Sequence, residues 1–522
     1  MQQSKEVKIT ISEILYICFF CLMLFAKGLG LYDGQILYKL FFLAGMGLVA
    51  LKMCITGHTV KEWGIIGILG LLAVLVYLNS REKGILVVFS TILSMKGVSK
   101  ERVFRVGMWV WGITMSGNVL YHLLNLDSSG YKVHEKLGLG HIFRWDLGFS
   151  HPNVLHISYL MLCGFIIYNL DRKYNWKHAI GFMLGNLFIF LYSVSYTGIM
   201  AVTLYLGISW YINIRENLNK LEYILLELVF PVCVLLSLLS PILLPEKIFN
   251  IANKIFSNRL ILSEYYLVPE KMTLFGSNLE NITTHVLTMD NAYVFSLVIY
   301  GMVFFSIMVV SYLLLNHWCA KEKRKKDLAL ISCFMIAGIT EPFLFNTSFK
   351  NLTLLLLGDF LFGVLRHNGE EQKEWAIFIE GNKELCFREL KLTQLIDKIV
   401  LVWEREKKRI LLIAIGCGLG AGIIYGANRE MPKGYIMPRI HVDIVSDETW
   451  YLQNVDEPQY KDMKILDYRD SETRMQIFDG NIIVVEYIRE CVTVFCIMTL
   501  VTGTICMVGY MLNFYKKNQK ES

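Results

Sequence analysis

The chain has 522 residues, 54% of them hydrophobic and only 18% charged, with a formal net charge of +6 and a mean hydropathy of +0.46. That balance excludes an ordinary water-soluble globular domain and makes lipid the main solvent. The small positive charge predicts no nucleic-acid partner, because the basic residues fall where they orient membrane helices.

Apolar runs of roughly 17 to 25 residues, the length that crosses a hydrocarbon core as a helix, recur along the chain. They predict helices at about 9–26, 36–55, 63–79, 84–97, 103–124, 152–170, 178–194, 197–213, 222–244, 292–316, 328–346, 351–366, 409–427 and 485–513. The fold expected is therefore all-α: a polytopic membrane protein of about 14 transmembrane helices with two long external loops. The first run begins near Ile9 with no small-residue cleavage site behind it and reads as a retained helix.

Orientation follows from Lys and Arg. With the amino terminus inside, one side collects Lys5, Lys8, Lys52, Lys61, Lys96, Lys100, Arg102, Arg105, Arg172, Lys173 and Lys177. The same side continues with Arg215, Lys220, the run 321–326, Arg409, Lys516 and Lys517. Both termini are thus expected in the cytoplasm of a bacterial cell; Arg81–Glu82–Lys83 is the exception outside. The cysteines fall in helices or on the inner side, and no disulfide or structural metal is expected.

Two long external segments, about 125–151 and 245–291, stand out against short neighbouring connections, and long loops on a packed scaffold are where binding and chemistry concentrate. Residues 1–366 form one expected domain of about twelve helices. A polar stretch, 367–408, which includes Asn368–Gly369–Glu370–Glu371, reads as a cytoplasmic linker. Residues 409–522 read as a two-helix hairpin enclosing an external segment, 428–483, whose alternating pattern suits a small strand-containing lid.

The first loop runs His141-Ile-Phe-Arg144-Trp-Asp146-Leu-Gly148-Phe-Ser-His151-Pro152-Asn153. Pro152 suits a first helical turn, leaving His151 and Asn153 at the helix mouth as caps or as site residues. The second loop carries Asn253 to Arg259, Tyr265, Tyr266, Phe275-Gly276-Ser277, His285 and Asp290-Asn291-Ala-Tyr293. Arg144 and Arg259 together could grip a pyrophosphate, because forked guanidiniums match phosphate oxygens. Asp290 and Asn291 are helix caps or catalytic groups. Glu13, Lys39, Glu227 and Asp359 fall inside predicted spans and are expected to be paired structural charges.

Four segments within residues 1–366 resemble the Wzy-type polysaccharide repeat-unit polymerases. They are Arg144-Trp-Asp-Leu-Gly-Phe-Ser-His-Pro-Asn153, Asn253 to Arg259 with Phe275-Gly276, Asp290-Asn-Ala-Tyr293, and Gly338-Ile-Thr-Glu341-Pro with Asn351. The turn Ser195-Tyr196-Thr197-Gly198 departs from the family, which often has an arginine there. The resemblance implies glycosyl transfer between undecaprenyl-pyrophosphate-linked oligosaccharides at the outer face of the cytoplasmic membrane, building capsular or exopolysaccharide. It implies no cofactor and no metal. Arg144 and Arg259 would clamp the pyrophosphate, and Asn153, Asn291 and Tyr293 would contact substrate. His151 would be the general base, with Asp290 and Glu341 as alternatives. A ligase of finished glycan and a lipid-linked oligosaccharide transporter are the rival readings, and a chain-length regulator and a flippase are the expected partners.

The segment from Phe387 through Lys407-Lys-Arg-Ile to Gly416-Cys-Gly-Leu-Gly-Ala-Gly422 resembles the start of a Wzz-type chain-length regulator, with an external part shorter than usual. Its glycines give spacing for close helix contact.

Overall fold

The computed structural model describes residues 6–136, 138–256, 258–282, 288–367, 373–378, 381–388, 391–439, 461–465 and 474–521. His285, Asn368–Glu371 and parts of the 428–483 segment lie outside the described residues. The chain divides into two compact units. The larger comprises Lys8–Gly130 and Asp146–Phe387; the smaller comprises Met1–Val7, Tyr131–Trp145 and Arg388–Ser522. The division at Arg388 falls within the linker expected at 367–408. Nothing in the hydropathy pattern marks residues 131–145 as grouping with the carboxy-terminal region.

The larger unit is helical. It begins with α1 (Ile11–Gly28), α2 (Ile36–Ile55), α3 (Val60–Ser80), α4 (Gly84–Leu93) and α5 (Lys100–Leu124). It continues through α6 (Pro152–Leu170), α7 (Trp176–Ser193), α8 (Tyr196–Ile214) and α9 (Lys220–Leu243). Short helices α10 (Glu246–Ile255), α11 (Arg259–Tyr266) and α12 (Leu279–Ile282) follow, then α13 (Ala292–Ile299), α14 (Gly301–Lys321), α15 (Lys325–Gly338) and α16 (Thr353–His367). In the smaller unit, α17 (Lys391–Asn428) and α18 (Asn481–Glu521) form a hairpin. Residues 391–408 are therefore an extension of α17 and not a loop.

Each expected span overlaps a helix, though 84–97 and 328–346 run past the ends of theirs, and among the described residues nine helices are long and apolar enough to cross a membrane. These are α1, α2, α3, α6, α8, α9, α14, α17 and α18. The protein is an all-α, membrane-embedded chain. The remaining expected spans correspond to α4, α5, α7, α15 and α16, of which α4 has only 10 residues, α15 14 and α16 15.

One expected span, 292–316, is broken between α13 and α14. Gly301 takes φ +88°, a left-handed backbone that L side chains rarely adopt. The segment around Gly276 fills the break: Ser277 N donates to Ile299 O (3.2 Å), Met302 N to Thr273 O (2.9 Å) and Val303 N to Leu274 O (3.1 Å). A Cβ on Gly276 would strike Ile299 O, and one on Gly301 would strike the Gly276 backbone. The loop thus supplies the hydrogen-bond partners that an interrupted helix lacks.

The intramembrane acids are paired, as expected. Glu13 meets Arg102 at 2.6 Å, Glu227 meets His317 at 3.0 Å, and Asp359 meets Arg324 and Lys100 at 3.1 Å each. Asp327 joins the last cluster through Arg324 (2.5 Å), Lys100 (3.4 Å) and the Tyr168 hydroxyl (2.8 Å). Lys39 is exposed.

In the smaller unit, Gly418, Gly422 and Gly426 of α17 face Phe495, Cys491, Tyr487 and Thr499 of α18, while Gly416 and Gly420 are open. The glycine row therefore closes the hairpin through every fourth residue. The 428–483 segment contributes a three-stranded sheet, with β3 (Tyr435–Arg439) parallel to β4 (Lys464–Ile465) and antiparallel to β5 (Arg474–Phe478). Strands β1 (Tyr131–Lys136) and β2 (Gly140–Trp145) form an antiparallel hairpin. Phe143, Tyr435, Phe478 and Ile482 make a common core, and Arg489, ion-paired with Glu486, donates to Phe143 O at 3.1 Å.

His58, between α2 and α3, is fully buried, and its Nδ1 lies 3.5 Å from Glu62 Oε2, within ion-pair range but without hydrogen-bond geometry. Burial, and then the Lys96 charge, push its pKa down to about 4. The unfolded ring titrates near 6.5, so the unfolded state binds more protons between those values. Stability should fall as pH drops through this window, by roughly 2 kcal/mol from pH 7 to pH 5. Melting curves in detergent at the two pH values should show the loss, and His58→Gln should flatten it.

Candidate functional site

Glu341 follows α15, where the helix stops at Gly338 and Pro342 prevents its resumption. Its Oε1 accepts from Asn153 Nδ2 at 2.8 Å, from Thr197 Oγ1 at 3.3 Å and from Arg259 Nη2 at 3.0 Å. The three donors come from the first turn of α6, the first turn of α8 and the start of α11, so one carboxylate gathers three distant parts of the chain. Arg259 also lies 3.4 Å from Asp290 Oδ2 through its Nε. That contact is within ion-pair range but lacks hydrogen-bond geometry, so Arg259 Nε is a buried donor with no acceptor among the described residues.

The corner that presents Arg259 is built by asparagines. Asn258 takes φ +66°, a conformation that Asn tolerates better than most residues. Asn253 Nδ2 donates to Asn258 Oδ1 (3.0 Å), while Asn253 Oδ1 accepts from Ile261 N (3.2 Å). The Asn253-to-Arg259 spacing thus encodes a turn that fixes the guanidinium.

His151 caps α6: its Nδ1 accepts from Asn153 N at 3.1 Å. That bond places the ring proton on Nε2. A neutral imidazole in this tautomer is a hydrogen-bond donor at Nε2, and its basic nitrogen is already used. The cap therefore weakens the base role expected of His151. Asn291 caps α13, accepting from Tyr293 N (2.9 Å) and Val294 N (3.2 Å). Tyr293 is buried and its hydroxyl donates to Met335 O at 2.8 Å. It anchors α13 to α15, in place of the substrate contact expected of it. Asp290, with about a third of its side chain exposed, is the more accessible of the two carboxylates.

Arg144 lies on β2 in the smaller unit, buried and opposite Lys132 in the hairpin register. Of the expected site residues, the structure joins Asn153, Arg259, Asp290 and Glu341 by direct contacts. Thr197 was missed, because its turn was read only for its missing arginine. His156 was missed as well: its ring meets Ser193 Oγ (2.9 Å) and Asn186 Oδ1 (2.7 Å), and a Cβ on Gly198 would strike it. A histidine within one apolar helix and an asparagine within the next were the available signal. Among the described residues no three His, Cys, Asp or Glu side chains gather as a metal site. Comparison with protein-family models, with curated proteins and with solved structures gave no match.

Glu341→Ala should leave Arg259 buried with a longer contact to Asp290 and a 3.4 Å bond from Nη1 to Phe256 O, at a cost of about 3 kcal/mol. The double variant Arg259→Met/Glu341→Leu should be less destabilised than the sum of Arg259→Met and Glu341→Leu. Denaturation of the four proteins measures this as a coupling of at least about 1 kcal/mol.

Proposed function

We propose that this chain is a Wzy-type polymerase that joins oligosaccharide repeat units carried on undecaprenyl pyrophosphate. One observation carries the reading: separated segments singled out in the sequence meet around Glu341, holding a buried arginine that has a spare donor beside a more exposed carboxylate. Isolated structural ion pairs rarely leave such a donor unsatisfied. An incoming phosphate oxygen would satisfy it.

In the reaction, an acceptor sugar hydroxyl attacks the anomeric carbon of the donor. The bond from that carbon to the pyrophosphate oxygen breaks, and the lipid pyrophosphate departs. Arg259 stabilises the charge that develops on the leaving oxygens, a task for a preorganised cation shielded from water. Asp290 accepts the hydroxyl proton, since the cap on His151 occupies its basic nitrogen. Glu341 holds Arg259 and Asn153 in place. His151, through Nε2–H, donates to the pyrophosphate or to a sugar oxygen. Arg144 belongs to the smaller unit, and the part expected of it in binding pyrophosphate is tested by its own variant.

The remaining topology belongs to the same proposal. About fourteen spans cross a bacterial cytoplasmic membrane, with both termini inside and the Glu341 centre at the outer face. Helices shorter than a full span, such as α15 and α16, suit a site recessed below the headgroups. The smaller unit acts as a chain-length element, because it holds the hairpin, 131–145, that leads into His151.

Arg259→Ala should lower polymer yield by about 100-fold or more at unchanged expression, and Arg144→Ala should lower it in the same direction. Full polymer length in both variants would reject the grip. A deletion strain should accumulate lipid-linked single units; accumulation of finished lipid-linked polymer would instead indicate a ligase. Removing residues 409–522 should alter the polymer length distribution on a gel, and an unchanged distribution would remove the regulatory role.

A further inference from the structure

Three largely buried residues of the larger unit lie away from the Glu341 contacts and carry donors without acceptors among the described residues. Lys27, in the last turn of α1, is 5% exposed, and Lys350, between α15 and α16, is 3% exposed. Neither ammonium has a carboxylate within ion-pair distance or a hydrogen-bond acceptor among the described residues. The third donor is Asn118 Nδ2 on α5, buried and without a partner. Asp33, the acid nearest to Lys27 in the chain, is occupied by Lys83 at 2.6 Å.

The surroundings place these donors in one neighbourhood. Lys350 Nζ lies 5.9 Å from the Phe149 ring centroid and 6.0 Å from that of Trp111. Trp111 is two turns before Asn118 on the same face of α5. Asn118 lies against Gly30 and Gly148, which neighbour Lys27 and Phe149 in the chain. Lys27 Nζ sits 3.8 Å above the Tyr38 ring, and its charge is acted on by Lys350, Asp33 and Lys83. Aromatic faces return far less than the burial of two ammonium groups takes away. Two like charges gathered in an aromatic-walled site, with an amide donor beside them, are completed by an anion.

We propose that Lys27, Lys350 and Asn118 form a second oxyanion site, built from residues other than those around Arg259, that takes a phosphate or diphosphate group. Two positive charges match the charge of such a group, and the walls of Tyr38, Trp111 and Phe149 keep competing water out. The group could arrive as free pyrophosphate or as the headgroup of a prenyl diphosphate. The site stands on its own contacts and does not depend on polymerase activity.

The test uses the full chain in lipid nanodiscs, with inorganic pyrophosphate and farnesyl diphosphate as separate probes in equilibrium binding. Lys27→Met and Lys350→Met should each weaken at least one probe by tenfold or more. Loss confined to farnesyl diphosphate assigns a lipid headgroup, and loss of both assigns the free anion. Unchanged affinity and stoichiometry in the folded Lys27→Met/Lys350→Met double variant would overturn the proposal. Should that variant fail to fold, Asn118→Asp serves, since it keeps the size and repels an anion. The probe that binds should raise the Tm of the wild type, and Asn118→Asp should abolish the rise; no rise in the wild type with either probe, or an undiminished one in Asn118→Asp, would overturn it too. Because the proposed Arg259 grip would take the same probes, the binding that survives in Arg259→Ala is the one to follow: it should be lost when Lys27→Met and Lys350→Met are added, and its survival there would overturn this proposal without touching the polymerase reading.

Discussion

A charge removed from water must be met by another charge or by a complete set of hydrogen bonds. In this chain the buried Arg259–Glu341 pair meets that requirement by drawing in α6, α8 and α11 together. The pairing does more than neutralise. By filling one carboxylate oxygen with three donors, it fixes the mouths of two helices and the corner built by Asn253 and Asn258, and leaves one guanidinium nitrogen facing an unfilled position. The Asp327 cluster plays the corresponding part at the opposite ends of α6 and α15, where Lys100, Arg324 and Tyr168 share the burden. Between these two clusters α6 adds the buried contacts of His156 to Ser193 and Asn186.

Much of this was legible because apolar length and basic residues report directly on solvent. Each expected span overlaps a helix, and the spacing Pro152-Asn153 and Asn291-Ala-Tyr293 identified real helix starts. The break at Gly301 was not legible from hydropathy, since 292–316 is continuously apolar. Its cause is the backbone of Gly276, some 25 residues earlier, and a hydropathy window does not see a hydrogen bond made across a loop. The overlong estimate for 328–346 has a similar origin: the residues after Gly338 are apolar because they are buried by protein, while Pro342 ends the helix.

The candidate site was legible in its residue types and less so in their roles. Arg259, Asp290 and Glu341 carry charge at segment junctions, which the sequence displays. That His151 spends its basic nitrogen on a cap, or that Tyr293 serves a neighbouring carbonyl, depends on a few tenths of an ångström of local geometry. Thr197 gives no charge to notice. The allegiance of residues 131–145 to the carboxy-terminal unit rests on Phe143 and Arg489, which are 346 positions apart; such pairings leave no periodic trace.

The order in which the counter-ions are synthesised has its own consequence. The corner at Asn253–Arg259 and the Gly276–Ile299 contact join neighbours in the chain and can settle as soon as the nascent polypeptide reaches about residue 300. Glu341 is made later, so Arg259 enters the membrane surface with Asp290 as its first partner and acquires its closer one afterwards. During translation the centre therefore exists first as a half-compensated intermediate, and its completion is tied to the insertion of α15. A chain that stops before that helix lacks Glu341 and leaves Arg259 with Asp290 as its only carboxylate contact among the described residues.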